Sequence, residues 1–310
     1  MKTTIKILFA SVLTLTMIST VIGQQQAQFT QYVDNMVYYN PAYAGSHEGM
    51  SISALHRQQW AGFDGAPMST TFGLHTPLIK NLGLGVSMLN DKVGPINSTW
   101  ANVSVSYTVN FENRGKLAFG INGGFNLLNG NLLNLHQMNT GDQSLNVQYS
   151  NDFKPNFGAG VYYHSDKWFA GFAVPHILDN AKDIGDILNE DFMAQRHYYL
   201  MFGGYIPANE ILKLRPSAML KITENAPFAL DMSLAFILYD KLWLGANYRL
   251  IESAGIFAQY QISNQFKIGY AFEYSTTKLR SHNAGTHELM ISYDIMLKGQ
   301  GTHGSAPRFF

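Results

Sequence analysis

Several residue types and patterns are scarce or absent in this 310-residue chain, and each absence excludes a class of protein. The chain contains no cysteine, which rules out disulfide bonds and thiolate metal sites. Charged residues make up only 14% of it and the formal net charge is zero, so there is no basic field to attract nucleic acid. We therefore expect neither a disulfide-stabilised scaffold nor a nucleic-acid-binding protein.

Long hydrophobic runs are also missing after the first 23 residues, because no later segment has the roughly 18 consecutive apolar residues of a spanning helix. At the start of the chain, Lys2 and Lys6 precede an apolar run that ends in small residues at Gly23. This layout is typical of a secretory signal peptide, and it predicts cleavage between Gly23 and Gln24. The alternative is an uncleaved membrane anchor. If the mature chain enters a membrane, it must do so as strands.

Alternating hydrophobicity is the strongest positive signal, and it is clearest in residues 227–250. Apolar residues occupy every second position from Phe228 to Leu238, and the alternation resumes after the turn Tyr239-Asp240-Lys241. A period of two separates side chains into two faces only in an extended strand. The segment is predicted to form a long antiparallel hairpin.

The same pattern returns along residues 49–296, where we count about fourteen strands, and it predicts an all-β protein. Residues 24–48 are rich in Gln and Tyr and lack the alternation of a spanning strand. They are predicted to be a periplasmic or lumenal segment lying against a wet protein surface. Residues 297–310 are predicted to be a periplasmic C-terminal tail.

Alternation alone fits both a soluble barrel and a transmembrane one. Connection lengths favour the transmembrane antiparallel β-barrel, because short turns alternate with longer loops, the longest at residues 128–156 and 176–195. Charges in mid-strand also suit a wet lumen; they are Lys213, Arg215, Asp231, Arg249, Lys267, Glu273, Glu288 and Asp294. We expect short periplasmic turns, longer extracellular loops and a location in the cell outer membrane. Pro216 interrupts one strand and predicts a bulge or a local break there.

The sequence offers no constellation for catalysis or for a cofactor. None of the ten histidines is paired at the spacing of a zinc-binding helix. An EF-hand alignment starting at Asp179 places Glu190 correctly but puts Ala181 and Ile184 at positions where a ligand and a glycine belong, so a solvated loop is the preferred interpretation. The Gly-x-Gly pairs at Gly83/Gly85 and Gly158/Gly160 are interpreted as close-packed barrel positions. We expect no enzyme, no metal and no cofactor.

A series of motifs gives a more specific indication. In chain order they are Tyr38-Tyr39-Asn40-Pro41-Ala42-Tyr43-Ala44-Gly45-Ser46, His56-Arg57-Gln58-Gln59-Trp60, Gly62-Phe63-Asp64-Gly65-Ala66-Pro67, Asn90-Asp91-Lys92-Val93-Gly94-Pro95, Leu242-Trp243-Leu244-Gly245-Ala246-Asn247-Tyr248-Arg249 and the closing Pro307-Arg308-Phe309-Phe310. Together they closely resemble the PorP/SprF family, outer-membrane proteins of the type IX secretion system in Bacteroidetes. The resemblance covers essentially the whole mature chain.

The resemblance implies a role in secreting or anchoring proteins with C-terminal sorting domains, including adhesins of gliding motility. It also implies periplasmic partners, among them a peptidoglycan-binding lipoprotein and a motor ring, besides the cargo and the outer-membrane lipid. Topology makes residues 24–46 and 296–310 candidate docking segments on the inner side, with the long loops meeting cargo outside. The alternative is a diffusion channel or a hydrophobic-solute transporter, since a barrel of this size can enclose a lumen.

Ten residues of the motifs are candidates for partner contact. They are Asn40, Pro41, Tyr43, Gly45, Trp60, Phe63, Asp64, Arg308, Phe309 and Phe310. The alternative for Asn40-Pro41-Ala42-Tyr43 and Gly62-Phe63-Asp64-Gly65 is turn chemistry that stabilises the first hairpin without touching a partner.

Overall fold

The computed structural model describes residues 26–112, 115–131, 148–178, 196–223 and 226–295. Most of these residues lie in one antiparallel sheet, and no helix among them is long and apolar enough to cross a membrane. The strands are β1 (Met50–Gln58), β2 (Met68–Ile79), β3 (Leu82–Val93), β4 (Ile96–Asn110), β5 (Lys116–Asn131), β6 (Gln148–His164), β7 (Trp168–Val174), β8 (His197–Gly204), β9 (Ile206–Pro207), β10 (Leu212–Thr223), β11 (Ala229–Leu238), β12 (Leu242–Arg249), β13 (Ser253–Gln261), β14 (Phe266–Ser275) and β15 (Thr286–Ile295).

The sheet closes on itself. Each strand pairs antiparallel with its neighbours, and β15 pairs with β1 from Met50 opposite Ile295 to Gln58 opposite His287. The two-residue strand β9 continues β8 in the same register against β10, so the barrel has fourteen strands. The predicted all-β antiparallel barrel of about fourteen strands is confirmed.

Apolar side chains point outward and polar ones inward. On β11, Phe236 is 44% exposed while its neighbour Ile237 is 0% exposed, and Phe228, Met232 and Leu234 are exposed on the same outer face as Phe236. The closed sheet pairs the backbone groups, so an apolar exterior can face lipid. The outward orientation that the transmembrane interpretation requires is therefore present.

The expectation of a wet lumen does not hold for a large part of the interior. Five of the inward charges are buried, namely Arg215, Asp231, Arg249, Glu273 and Glu288. They contact one another and the protein's own N-terminal segment instead of bulk water. The mid-strand charges do face inward, as the alternation predicts. The alternation does not show whether water or polar protein groups surround those charges.

One of the two long loops is shorter than predicted where the structure describes its ends. Residues 128–156 were expected to form one long loop, yet β5 continues to Asn131 and β6 begins at Gln148. Asn and Gln side chains suppressed the hydrophobic alternation there, while the backbone ladder continues regardless of side chain. The rest of that loop and most of residues 176–195, including the Asp179 to Glu190 stretch, lie outside the described residues.

Pro216 causes no bulge in its own strand. The register of β10 against β11 runs without a shift from Leu212 to Lys221. The local break lies in the neighbouring strand, where Tyr205 separates β8 from β9. The Tyr205 backbone donates its N–H to the Lys167 carbonyl oxygen at 2.7 Å. Pro216 has no N–H for this neighbour, and the interruption therefore falls beside it.

Candidate functional site

Residues 26–47 run through the barrel interior from one rim to the other. We call the end bearing the connections after β2 and β4 the short-turn rim, and the opposite end the long-loop rim. Gln26 contacts His176 near the long-loop rim, and Gly45 lies against Gly83 near the short-turn rim. Three short helical turns lie between them, at Tyr32–Asn35, Met36–Tyr39 and Pro41–Tyr43. Every residue from 28 to 44 is buried except Asp34, which is half-buried.

The last of these turns follows from its sequence. Asn40 has extended backbone angles, and its side-chain oxygen accepts the N–H of Ala42 at 2.9 Å. Pro41 occupies the first position of the turn, where a missing N–H costs nothing. The Asn-Pro-Ala-Tyr motif is therefore a capped turn inside the barrel.

The first half of this segment, residues 28–34, is bound by polar groups, and we call it the polar half. Thr30 and Gln31 donate their backbone N–H groups to the two oxygens of Glu288, at 2.8 and 2.9 Å. Arg57 on β1 reaches the same carboxylate at 3.3 Å. A buried carboxylate thus replaces the ladder hydrogen bonds that these backbone groups would make in a strand.

Glu273 on β14 extends the network. It accepts a hydrogen bond from the Thr30 hydroxyl at 2.5 Å and pairs with Arg57 at 2.6 Å and with Arg249 at 3.5 Å. Arg249 donates to Asp231 on β11 at 2.6 Å. Buried carboxylates and guanidinium groups alternate across the interior, and each therefore compensates part of the desolvation cost of the next.

Asp34 makes a second ionic contact nearer the short-turn rim. Its carboxylate lies 2.5 Å from the Lys267 ammonium and 3.4 Å from Arg215, and it accepts a hydrogen bond from Gln259 at 2.8 Å. Burial alone would raise the pKa of Asp34, but the charges of Lys267 and Arg215 outweigh it and hold that pKa below its usual range. Asp34 is therefore ionised and attached to the wall.

The second half, residues 36–45, is packed by shape, and we call it the aromatic half. The wall carries glycine where this half approaches it. A Cβ on Gly120 would lie 2.2 Å from the Ala42 nitrogen, one on Gly83 would lie 2.2 Å from the Ala44 carbonyl oxygen, and one on Gly160 would lie 2.2 Å from Asn40 Oδ1. Any side chain at these positions would displace the segment.

Aromatic rings complete the packing of this half. Tyr39 meets Tyr199 edge to face at 5.2 Å between ring centroids, and Tyr43 meets Tyr162 at 5.2 Å and His75 at 5.0 Å. Edge-to-face pairs of this kind add about 0.5–1.5 kcal/mol each beyond the area they bury. The aromatic half thus belongs to the main apolar core of the barrel, which also includes Phe29, Tyr32 and Val33 of the polar half.

The chain that leaves β7 also enters the interior. His176 is buried, its ring centroid lies 4.0 Å from that of Trp100, and its Nδ1 contacts the Gln26 side-chain nitrogen at 2.9 Å. Burial lowers the pKa of His176 to about 3, so the ring is neutral near pH 7. The neutral ring therefore packs against the start of the internal segment at the long-loop rim.

The candidate residues separate into two locations. Asn40, Pro41 and Tyr43 are buried in the interior, and Gly45 follows them with a φ of +68°. Three others lie in the β1–β2 loop at the long-loop rim: they are Trp60, Phe63 and Asp64. The rest lie outside the described residues: Gly23, Gln24, Arg308, Phe309 and Phe310.

The rim group is partly anchored and partly exposed. Trp60 has a φ of 49° and donates its N–H to Thr286 Oγ1 at 3.2 Å, while Phe63 is 49% exposed and Asp64 is exposed. Ala61 and the 284–285 backbone exchange hydrogen bonds at 2.8 Å, which fixes this loop across the closing strands. Trp60 therefore contributes to structure, and Phe63 and Asp64 remain available to a partner.

The docking role expected for residues 24–46 is wrong for the described part of that stretch. A segment buried between residues 28 and 44 presents no free surface to a periplasmic partner. Polar and aromatic composition fits a wet surface and a packed polar interior equally well, so composition does not predict this burial. The available signal was the inward glycines, since Gly83, Gly120 and Gly160 leave room for another piece of backbone.

Among residues 26–112, 115–131, 148–178, 196–223 and 226–295, no group of three or more His, Asp or Glu side chains could hold a metal ion. The buried acids there are paired with guanidinium or ammonium groups. The interior arrangement can bind a polypeptide segment, and its charges serve that purpose.

The fold and its filled interior define a class, the closed antiparallel barrels of outer membranes. The toluene transporter TbuX of Ralstonia pickettii matches with a TM-score of 0.50 and 11% identity, over 82% of this chain and 91% of that one. Omp33 of Acinetobacter baumannii matches with a TM-score of 0.47 and 10% identity, over 80% of this chain and 98% of that one. The likeness to TbuX shows a shared fold alone. A comparison with curated proteins finds no match.

The family follows from the sequence. The model of the family described as type IX secretion system membrane protein PorP/SprF matches residues 21–293. That range includes the internal segment and nearly all of the barrel. The chain belongs to the PorP/SprF family, and the resemblance carried by the motifs is confirmed.

Proposed function

We propose that the protein is an outer-membrane barrel component of the type IX secretion system, which supports secretion or surface anchoring of proteins with C-terminal sorting domains, such as gliding adhesins. The family match over nearly all of the barrel is the observation that carries the proposal. The filled interior supports a scaffold that binds other proteins at its rims. The proposed role is not enzymatic.

The two rims supply the proposed binding surfaces. Phe63 and Asp64 project at the long-loop rim, where secreted cargo would meet the barrel. The short-turn rim would face the periplasm, and there the tail that follows β15 would meet a peptidoglycan-binding lipoprotein and the motor ring.

Loss of secretion in a strain lacking the gene is the direct test. Surface display of a reporter fused to a C-terminal sorting domain should fall to background and return with the wild-type gene. A variant with Phe63→Ser and Asp64→Ser tests the long-loop rim, with Leu279→Ser, another exposed residue of that rim, as its control. Unchanged display in the deletion strain would contradict the proposal.

The tail assignment has its own test. Removing residues 298–310 should leave the barrel folded but reduce recovery of periplasmic partners with a tagged protein. Normal partner recovery and normal secretion after that deletion would contradict the assignment.

The rival function is a diffusion channel or a hydrophobic-solute transporter. TbuX is described as a toluene transporter, but at 11% identity that likeness concerns the fold. Residues 28–44 occupy the interior, so free diffusion would require part of this segment to move. Conductance of the purified protein in a planar bilayer separates the two: a steady large current supports a channel, and its absence supports a scaffold.

A further inference from the structure

The two ends of the described chain lie at opposite rims of the barrel. Gln26, the first described residue, contacts His176 and Tyr199 near the long-loop rim. Ile295, the last, lies opposite Met50 at the short-turn rim, where β1 begins. The internal segment therefore crosses the barrel once, from the long-loop rim to the short-turn rim, before the first strand starts.

The start of this crossing is marked by burial and by contacts. Gln26 and Ala27 are half-buried, and continuous burial begins at residue 28. The side-chain oxygen of Gln26 accepts the Tyr199 hydroxyl, and its side-chain nitrogen lies 2.9 Å from Nδ1 of His176. Gln26 is thus held on two sides at the point where the chain enters the interior.

The interior has no room for the preceding chain to return to the short-turn rim. An extended chain is about 4.8 Å by 10 Å in cross-section, so a second crossing of about 30 Å would fill roughly 1,400 Å³. The cavities at the short-turn rim measure about 50 Å³ beside Asp34 and about 160 Å³ beside Lys116. Both are several times too small. The chain that precedes Gln26 must therefore leave the barrel at the long-loop rim.

The charge pattern of the sequence suits a chain that passes through the barrel to the outside. After Lys6, the first charged side chain is Asp34. Moving an ionised group through apolar surroundings costs far more than moving an uncharged amide or hydroxyl group. Asp34 remains inside, where Lys267 and Arg215 bind its carboxylate. The part of the segment nearest the outer mouth is therefore the part without charge.

We infer that the chain enters the barrel from the cell surface, so that the polypeptide preceding Gln26 is displayed outside the cell. It lies at the same rim as Phe63 and Asp64 and adds to the surface that a secreted protein would meet. This inference shares with the proposed function the outward orientation of the long-loop rim, but it does not depend on secretion.

An epitope insertion tests the side of the membrane directly. A short epitope is inserted between Gln25 and Gln26. The same epitope is inserted, in separate variants, into the turn Lys278–His282 at the long-loop rim and into the turn Ser165-Asp166 at the short-turn rim. Antibody binding to intact cells is compared with binding after the outer membrane has been permeabilised.

The insertion before Gln26 should bind antibody equally on intact and permeabilised cells, as should the insertion at Lys278–His282. Binding at Ser165-Asp166 should rise at least tenfold on permeabilisation. If the epitope before Gln26 required permeabilisation while the one at Lys278–His282 did not, entry from the cell surface would be wrong. Binding on intact cells at Ser165-Asp166 alone would also overturn it, by reversing the barrel. No reading requires secretion, so failure of the proposed function is seen separately.

Single cysteines cover the case in which the insertion prevents folding, because the chain has no cysteine of its own. Ala27→Cys lies at the start of the internal segment, and Glu48→Cys lies just beyond its other end. Glu48 is exposed and Ala27 is half-buried, so intrinsic accessibility favours labelling at Glu48. A membrane-impermeant maleimide should nevertheless label Ala27→Cys at least tenfold faster on intact cells, and Glu48→Cys only after permeabilisation. Equal or faster labelling of Glu48→Cys on intact cells would refute the inference.

Discussion

The two halves of the internal segment are bound to the same barrel by different physics. The polar half is attached through carboxylates and guanidinium groups of β1, β14 and β15. The aromatic half is packed against glycine and tyrosine of β3 and β5–β8. The inner face of the barrel therefore differs between its two sides: one side carries charged residues, and the other carries small residues and aromatic rings.

The difference shows how a barrel interior can be filled without an apolar core throughout. Where the wall carries charged side chains, polar groups of the segment form hydrogen bonds with those buried charges. Where the wall is glycine, the backbone and rings of the segment fill the space that side chains of the wall would otherwise occupy. The first arrangement depends on charge and pH, and the second depends on volume. Variants that affect one and spare the other can separate them.

The largest effect is expected from Arg57→Met on the charged side. This change leaves Glu273 and Glu288 buried without their shared cation, which costs about 3–5 kcal/mol of unfolding free energy. Unfolding of the purified barrel in guanidinium measures it. Arg280→Met in the exposed turn Lys278–His282 is the control and should change little. A cost below about 1 kcal/mol for Arg57→Met would show that the network is hydrated rather than buried.

The next effect is expected from Gly120→Val on the glycine side. The new Cβ would lie 2.2 Å from the Ala42 backbone nitrogen, so the segment would have to move. We expect this displacement to lower the unfolding free energy by about 3 kcal/mol. Gly123→Val on the same strand is the matched control, because its Cβ meets nothing closer than the Phe157 ring at 3.6 Å. The two variants are compared by the temperature at which the folded barrel is lost on a gel. Equal temperatures would contradict the close approach of residues 36–45.

Sequence patterns were sufficient for the barrel and insufficient for its contents. Alternation between outward Phe236 and inward Ala235 or Ile237 is local, so it predicts strands, their faces and their approximate number. Inward charges such as Glu288 were also predicted, because a charge in mid-strand must avoid lipid. A lumenal position for residues 24–48 was one of two alternatives, but its contacts were not predicted, since they join residues more than 200 positions apart, as between Thr30 and Glu288.

The motif residues show the same limit. Asn40 and Pro41 could be predicted to form a turn, because their side chains act within a few residues. That this turn is buried against Gly120 and Gly160 depends on tertiary placement, which a single sequence does not encode in any local period. Phe63 and Asp64 resemble Asn40 in their turn chemistry yet lie exposed at the rim.

A smaller effect concerns Asp34 and pH. Its pKa is lowered in the folded protein, so its contribution to stability is present above the unfolded-state pKa near about 4 and is lost as the pH falls below it. Asp34→Asn should cost about 2 kcal/mol at pH 7 and show a smaller loss of stability between pH 5 and pH 3 than the wild type. Unfolding free energies measured across that range check this. Parallel curves for the two proteins would mean that Asp34 does not pair with Lys267 in solution.

The smallest and sharpest difference is expected from two hydroxyl deletions, one in each half of the internal segment. The Tyr32 hydroxyl donates to Ser217 Oγ at 2.9 Å, whereas the buried Tyr39 hydroxyl has no hydrogen-bond partner among the described residues. Tyr32→Phe should therefore cost about 1 kcal/mol, and Tyr39→Phe should be neutral or slightly stabilising, because removing an unsatisfied buried group removes its desolvation cost. Both are measured by guanidinium unfolding against the wild type. A cost for Tyr39→Phe equal to that for Tyr32→Phe would show that the aromatic half also relies on hydrogen bonds, and would remove the distinction between packing by shape and attachment by polar groups.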